Sequence, residues 1–174
     1  MRITTTLLAS ALAANLGAQS MTDNPQLAST KGFYDQIKQA ILKSADKLPE
    51  DKYGFKPSDD VRTYGQLLAH VADGQYIFCS IVKDGKMQPK GVEKTAKTKA
   101  EIVAALNESF AYCDAVYAGL TDATSAGLVP WFGGQRTKLS MLAFNTAHTF
   151  EHYGNLVTYM RMNGVVPPSS EPRK

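Results

Sequence analysis

The amino-acid sequence predicts an all-α protein, a four-helix bundle. Three observations carry that expectation: four segments with apolar residues at helical spacing, two Thr-x-x-Gln/Glu signatures that open helices, and no β-alternation of useful length. The first helix is expected from Pro25 to Lys47, with Leu27, Phe33, Tyr34, Ile37, Ile41, Leu42 and Leu48 on its apolar stripe. "LPEDKYGFKPSDD", rich in Pro, Gly and acids, reads as a loop. A second helix opens at Thr63, where T-Y-G-Q forms a capping box, and continues to Val82. Its apolar face takes Tyr64, Leu67, Leu68, Val71, Phe78, Ile81 and Val82.

T-K-A-E at Thr98 opens the third helix, which carries Ile102, Leu106, Phe110, Val116 and Tyr117 and ends near Gly119. The paired glycines of "GLVPWFGGQR" argue for a turn rather than an element. In that segment Trp131 and Phe132 are expected to plug the bundle end, with a mobile apolar lid as the alternative. The fourth helix runs from Thr137 to Asn163, stopped by Gly164 with Pro167 and Pro168 beyond. Its apolar residues, Phe144 and Phe150 among them, wrap most of the circumference, the mark of a helix packed on several sides.

A chain of 174 residues with 44% hydrophobic and 20% charged residues can build one domain with a real core. The formal charge of +3 gives no case for a nucleic-acid partner. The lysines between Lys83 and Lys99, broken by Gly85, Pro89 and Gly91, read as a solvated loop.

Residues 1–20 read as a signal peptide: Arg2, an apolar run from Leu7 to Leu16, then Ala18 and Ser20 ahead of cleavage before Met21. The alternative takes Met21 as the true start. The apolar run falls short of the roughly 20 residues that span a bilayer. The expectation is therefore an exported protein, periplasmic or extracellular, with no stable membrane anchor and a single domain over residues 21–174. Cys79 and Cys113 lie within apolar helical patterns and are expected as two buried thiols, although an oxidising compartment would allow them to pair.

The chain has three histidines, and two stand in "HTFEHYGN". On a helix His148 and His152 lie about 40° apart and one turn apart, so both rings can face one atom. They share a stripe with Met141, Phe144, Asn145, Asn155 and Tyr159. Buried side by side they need a shared partner, and a cation is one. The other reading is a pair of core histidines satisfied by hydrogen bonds. His70 falls on the apolar side of the second helix, with Gly74 one turn on, and Gly154 lies beside the pair. Three neutral imidazoles with an open position define a catalytic type of metal site, for which Zn²⁺ and Ni²⁺ are both suited. Glu151 is the candidate catalytic base or outer partner of an imidazole; a solvent-facing carboxylate is the alternative. H-x-x-E-H also occurs in inverted metallopeptidases, but these need a further acidic ligand well downstream, which the short stretch after His152 is not expected to supply.

"TYGQLLAHVADGQ" taken with "HTFEHYGNLVTYMRMNGVVPPSS" resembles the DinB-like family of damage-inducible four-helix-bundle metalloenzymes, over about Leu27 to Pro168. The resemblance implies metal ligands at His70, His148 and His152, and the family's tail pattern at Tyr159, Arg161, Gly164, Pro167 and Pro168. Many members carry an Arg directly after the last ligand, where this chain has Tyr153. The resemblance also implies a reaction on water or a small-molecule thiolate, of hydrolase or thiol-transferase type. A non-catalytic metal- or ligand-binding module is the alternative. The expected partner is a small-molecule substrate whose identity the sequence does not give, and self-association into a homodimer stays open.

Overall fold

The protein is described by a computed structural model over residues 23–172; the expected signal peptide and its expected cleavage point lie outside the described residues. Four long helices form the body: α1 (Pro25–Lys47), α2 (Tyr64–Asp84), α4 (Lys99–Ala118) and α6 (Lys138–Met162), with the one-turn helices α3 (Val92–Thr95) and α5 (Asp122–Ser125) in the connections. No helix among the described residues is long and apolar enough to cross a membrane. α2 packs mainly on α4 and α6, and α1 on α6 and α4, so α1 lies diagonally across the bundle from α2.

Local chemistry sets the helix ends. Thr63 and Thr98 accept from the backbone N–H three residues on, while Gln66 and Glu101 reach back to the caps, completing both capping boxes. α1 has Pro25 in its first turn and no cap of its own; the Asp122 carboxylate accepts from the Gln26 and Leu27 N–H groups at 3.1 and 2.8 Å. α6 ends in a Schellman turn. Gly164 sits at φ 71°, and the Val165 and Gly164 N–H groups donate to the Met160 and Arg161 carbonyls.

The core follows the predicted stripes, with Tyr34, Ile41, Leu68, Leu106 and Leu142 fully buried. Three expectations are corrected. Phe33, Phe144 and Phe150 are exposed, because each falls at the margin of its helix's buried arc. Cys79 and Cys113 are not separate thiols: they form a disulfide joining α2 to α4, with Cα atoms 5.4 Å apart. "LVPW" and "GQRT" are not plain turn but an antiparallel hairpin, β1 (Leu128–Trp131) and β2 (Gly134–Thr137), with Trp131 opposite Gly134. The connecting pair is Phe132–Gly133, at φ 37° and 76°. Two-residue hairpin turns with two positive φ values favour Asn-Gly, so a phenylalanine in first place hides the signal.

Candidate metal centre

α2 and α6 bring the three histidines to one point. His70, His148 and His152 each offer a ring nitrogen, all within 4.8 Å of one another. The Nε2 atoms of His148 and His152 stand 3.0 Å apart, the rings nearly perpendicular at 88°. Nitrogens this close either share one proton or, both bare, face a common cation. His148 reaches its place because position 74 has no side chain: a Cβ on Gly74 would stand 2.9 Å from its Cε1. Gly154 has no such role, with nothing within 4 Å of where its Cβ would be.

Burial, reinforced by the neighbouring histidines, pushes the His148 imidazole down to about 4. His152 is likewise pushed down to about 4, by burial first and then by His70 and Arg62. Both rings are therefore neutral near pH 7, the state a metal ligand requires. Their Nδ1 atoms are buried and have no hydrogen-bond partner among the described residues. The two rings meet through their Nε2 atoms, and it is there that a cation could be held. The donor set, its neutrality and its convergence fit a divalent cation.

His70 is held from outside. Glu93 Oε2 lies 3.2 Å from its Nδ1, which leaves Nε2 for a ligand. Glu93 is fixed in turn by the Arg62 guanidinium at 2.8 Å. Its α3 turn is anchored by Asp73, whose carboxylate accepts from the Val92 and Glu93 N–H groups. Partial burial favours the neutral Glu93 carboxyl, but Arg62 and His70 outweigh it and hold the group below the usual carboxylate range. Sequence reasoning missed Glu93, which lies in the lysine-rich segment read as solvated loop. No periodicity marks it; the buried Val92 beside it is the one trace of a docked turn.

Glu151 is exposed and not part of the histidine cluster. With His152, Arg62, Glu93 and Tyr159 it lines a polar cleft of about 760 Å³. Asn155 is exposed at the same cleft, whereas Asn145 points inward, one turn before His148. A second cleft of about 900 Å³ opens on His70 and His148. Trp131 and Phe132 line it with Phe78 and Met87; Phe132 is 81% exposed, so it forms a wall and does not plug the bundle end.

A bundle of this shape with three imidazoles gathered from its second and last long helices defines a class, the helical bundles with a metal-capable histidine triad. The sequence profile of the DinB superfamily matches residues 34–156, and the chain belongs to that superfamily. It is 24% identical over 127 residues to the uncharacterized protein YjoA of Bacillus subtilis strain 168, covering 69% of this chain and 79% of the relative. The crystal structure of that DinB-like protein superposes with a TM-score of 0.65 at 21% identity, covering 79% of this chain and 93% of the other. A DinB-like protein from Bacillus cereus ATCC 10987 gives 0.68 at 17% identity, covering 79% and 95%. A mycothiol-dependent maleylpyruvate isomerase shares the fold at TM-score 0.64 and 14% identity, over 75% of this chain and 60% of that one.

Proposed function

We propose that the protein is a metal-dependent enzyme in which His70, His148 and His152 hold a divalent ion, zinc or nickel, and leave a coordination position open to a small molecule. The observation that carries this reading is the convergence of three ring nitrogens on one point, with His152 buried, His148 half-buried and both rings neutral. Bound there, such an ion supplies Lewis acidity, which lowers the pKa of a water or thiol and gives a nucleophile near neutral pH. The reaction is of hydrolase or thiol-transferase type. The mycothiol dependence of one structural neighbour favours the thiol side.

The chain's own residues have separable tasks. Glu93 orients His70 and fixes its tautomer, with Arg62 and Asp73 behind it. Glu151, on the wall of the polar cleft beside His152, is the group to accept a proton from an incoming water or thiol. Glu93→Gln is expected to weaken metal affinity roughly 10–100-fold while helical content is kept. Glu151→Gln should leave metal affinity unchanged and lower turnover. Metal analysis of protein purified without a histidine tag, followed by a screen for thiol transfer and for ester and amide hydrolysis, tests the reading. A tag-free protein that retains no zinc or nickel and binds neither would sink it. One that binds metal yet catalyses nothing would favour the non-catalytic module.

We also infer export. The leader pattern of residues 1–20 supports this, and the Cys79–Cys113 disulfide suits an oxidising compartment. N-terminal sequencing of secreted protein should read from Met21; an intact Met1 would contradict the inference.

A further inference from the structure

The larger cleft is unlike an ordinary surface hollow. Phe78, Trp131, Phe132 and Phe144 form a chain of touching rings, with centroids 5.6 Å apart for Phe78–Trp131, 4.4 Å for Trp131–Phe132 and 5.7 Å for Trp131–Phe144. The chain reaches the centre directly, since Phe78 stands 5.4 Å from the His148 ring. Phe132 is the odd member. It keeps 81% of its surface in solvent and holds a φ of 37°, a left-handed conformation that a bulky side chain seldom adopts. Asparagine or glycine would suit that turn better, so folding alone does not account for an exposed phenylalanine there.

The charges around the cleft are one-sided. Its two acids are already engaged: Glu93 by Arg62 and His70, and Asp73 by two backbone N–H groups. Lys90 and Lys94 line the same cleft and pair with no carboxylate among the described residues; Lys90 instead sits 5.7 Å over the Tyr76 ring. An apolar aromatic wall with unmatched cations at its rim fits an amphipathic anion.

We propose that this cleft takes a small aryl or similarly flat apolar carboxylic acid. Its body lies against Phe78, Trp131 and Phe132, its carboxylate faces Lys90 and Lys94, and its reacting end faces His70 and His148. The assignment of a reacting end rests on the metal-centre reading; the binding claim is tested apart from it. Trp131 is the single tryptophan of the chain, so its fluorescence reports on this wall alone. Metal-loaded, tag-free protein is titrated with phenylpropionate, phenylpropionamide and propionate. The acid should give a saturable change, the amide should bind about fivefold or more weakly, and propionate should give no change where the acid saturates. Lys90→Gln with Lys94→Gln should erase the acid's advantage and leave the amide unaffected. Phe132→Asn, the residue this turn prefers, should hold or raise the melting temperature while weakening acid and amide alike. Equal affinity for acid and amide, or no saturable signal up to the solubility limit, overturns the proposal. Repeating the titration after chelation separates the two readings. Lysine-dependent binding that survives chelation supports the acid site independently of the metal centre. Bound metal with no acid binding overturns the acid site alone.

Discussion

Two polar clusters lie between α2 and α6, about one helical turn apart, and they are built on opposite principles. In the first, the Gln75 amide nitrogen donates to Thr149 Oγ1 at 3.0 Å, Asn145 Nδ2 donates to Gln75 Oε1 at 2.8 Å, and the Thr149 hydroxyl donates to the Asn145 carbonyl. Asn145 Nδ2 also lies 3.9 and 3.8 Å from the two disulfide sulfurs, and within this cluster Asn145 Oδ1 alone has no hydrogen-bond partner among the described residues. In the second, the half-buried His148 and buried His152 rings meet Nε2 to Nε2, and among the described residues their Nδ1 atoms have no hydrogen-bond partner. Unequal satisfaction separates the two: the amide cluster, fully buried, closes on itself and ties helices together, and the histidine cluster, less deeply buried, gathers ring nitrogens that could hold a metal ion.

The sharpest way to break this contrast is at the structural end. Replacing Cys79 and Cys113 together by alanine should cost about 2–4 kcal/mol of unfolding free energy, since the bridge spans 34 residues, and should leave metal affinity unchanged. Denaturant titration beside a metal-binding assay checks both halves. At the histidine end, chelation should remove about 2.7 kcal/mol when the displaced ion had been a hundredfold above its dissociation constant. Helical circular dichroism at room temperature should survive, because a chain this size folds without metal. His148→Ala or His152→Ala should abolish the chelator effect at every pH. Asn145→Ala should cost about 1–3 kcal/mol through the stranded Gln75 amide, with the chelator effect intact.

A separate test is the pH response of metal-free protein. Unfolded, the two rings take up protons from about pH 6.5 downward. Folded, they do so only near pH 4. Between those values the unfolded form holds more protons, so stability falls as pH is lowered, by about 1.4 kcal/mol per pH unit for each ring. Above pH 7 both states are neutral and the slope from this source vanishes. Urea midpoints measured from pH 7.5 to 4.5 on chelated protein should show the decline, and His148→Ala should make it shallower.

Much of the bundle was legible in the sequence because its signals are local. Helical spacing placed four helices, and two capping boxes fixed the starts of α2 and α4 at Thr63 and Thr98. The histidine triad was legible for a related reason: a four-residue step on one helix sets two rings, and the position of His70 on an apolar face supplies the third. What stayed hidden depends on contacts between distant segments. Glu93 reaches His70 only because Asp73 anchors the α3 turn, and neither relation leaves a periodic trace. The disulfide depends on how α2 and α4 are packed, which two cysteines in apolar stripes do not reveal. The hairpin was masked because Phe132 occupies a turn position that asparagine usually marks.

The central claim is that the histidine cluster needs a ligand and the amide cluster does not. Calorimetric titration of zinc, then nickel, into chelator-stripped, tag-free protein tests it most directly, with His148→Ala, His152→Ala and Asn145→Ala beside the wild type. One ion should bind per chain in the wild type and in Asn145→Ala, and none at this site in either histidine variant. A wild-type chain that binds neither ion, or binding that persists unchanged in His148→Ala and His152→Ala, would contradict it.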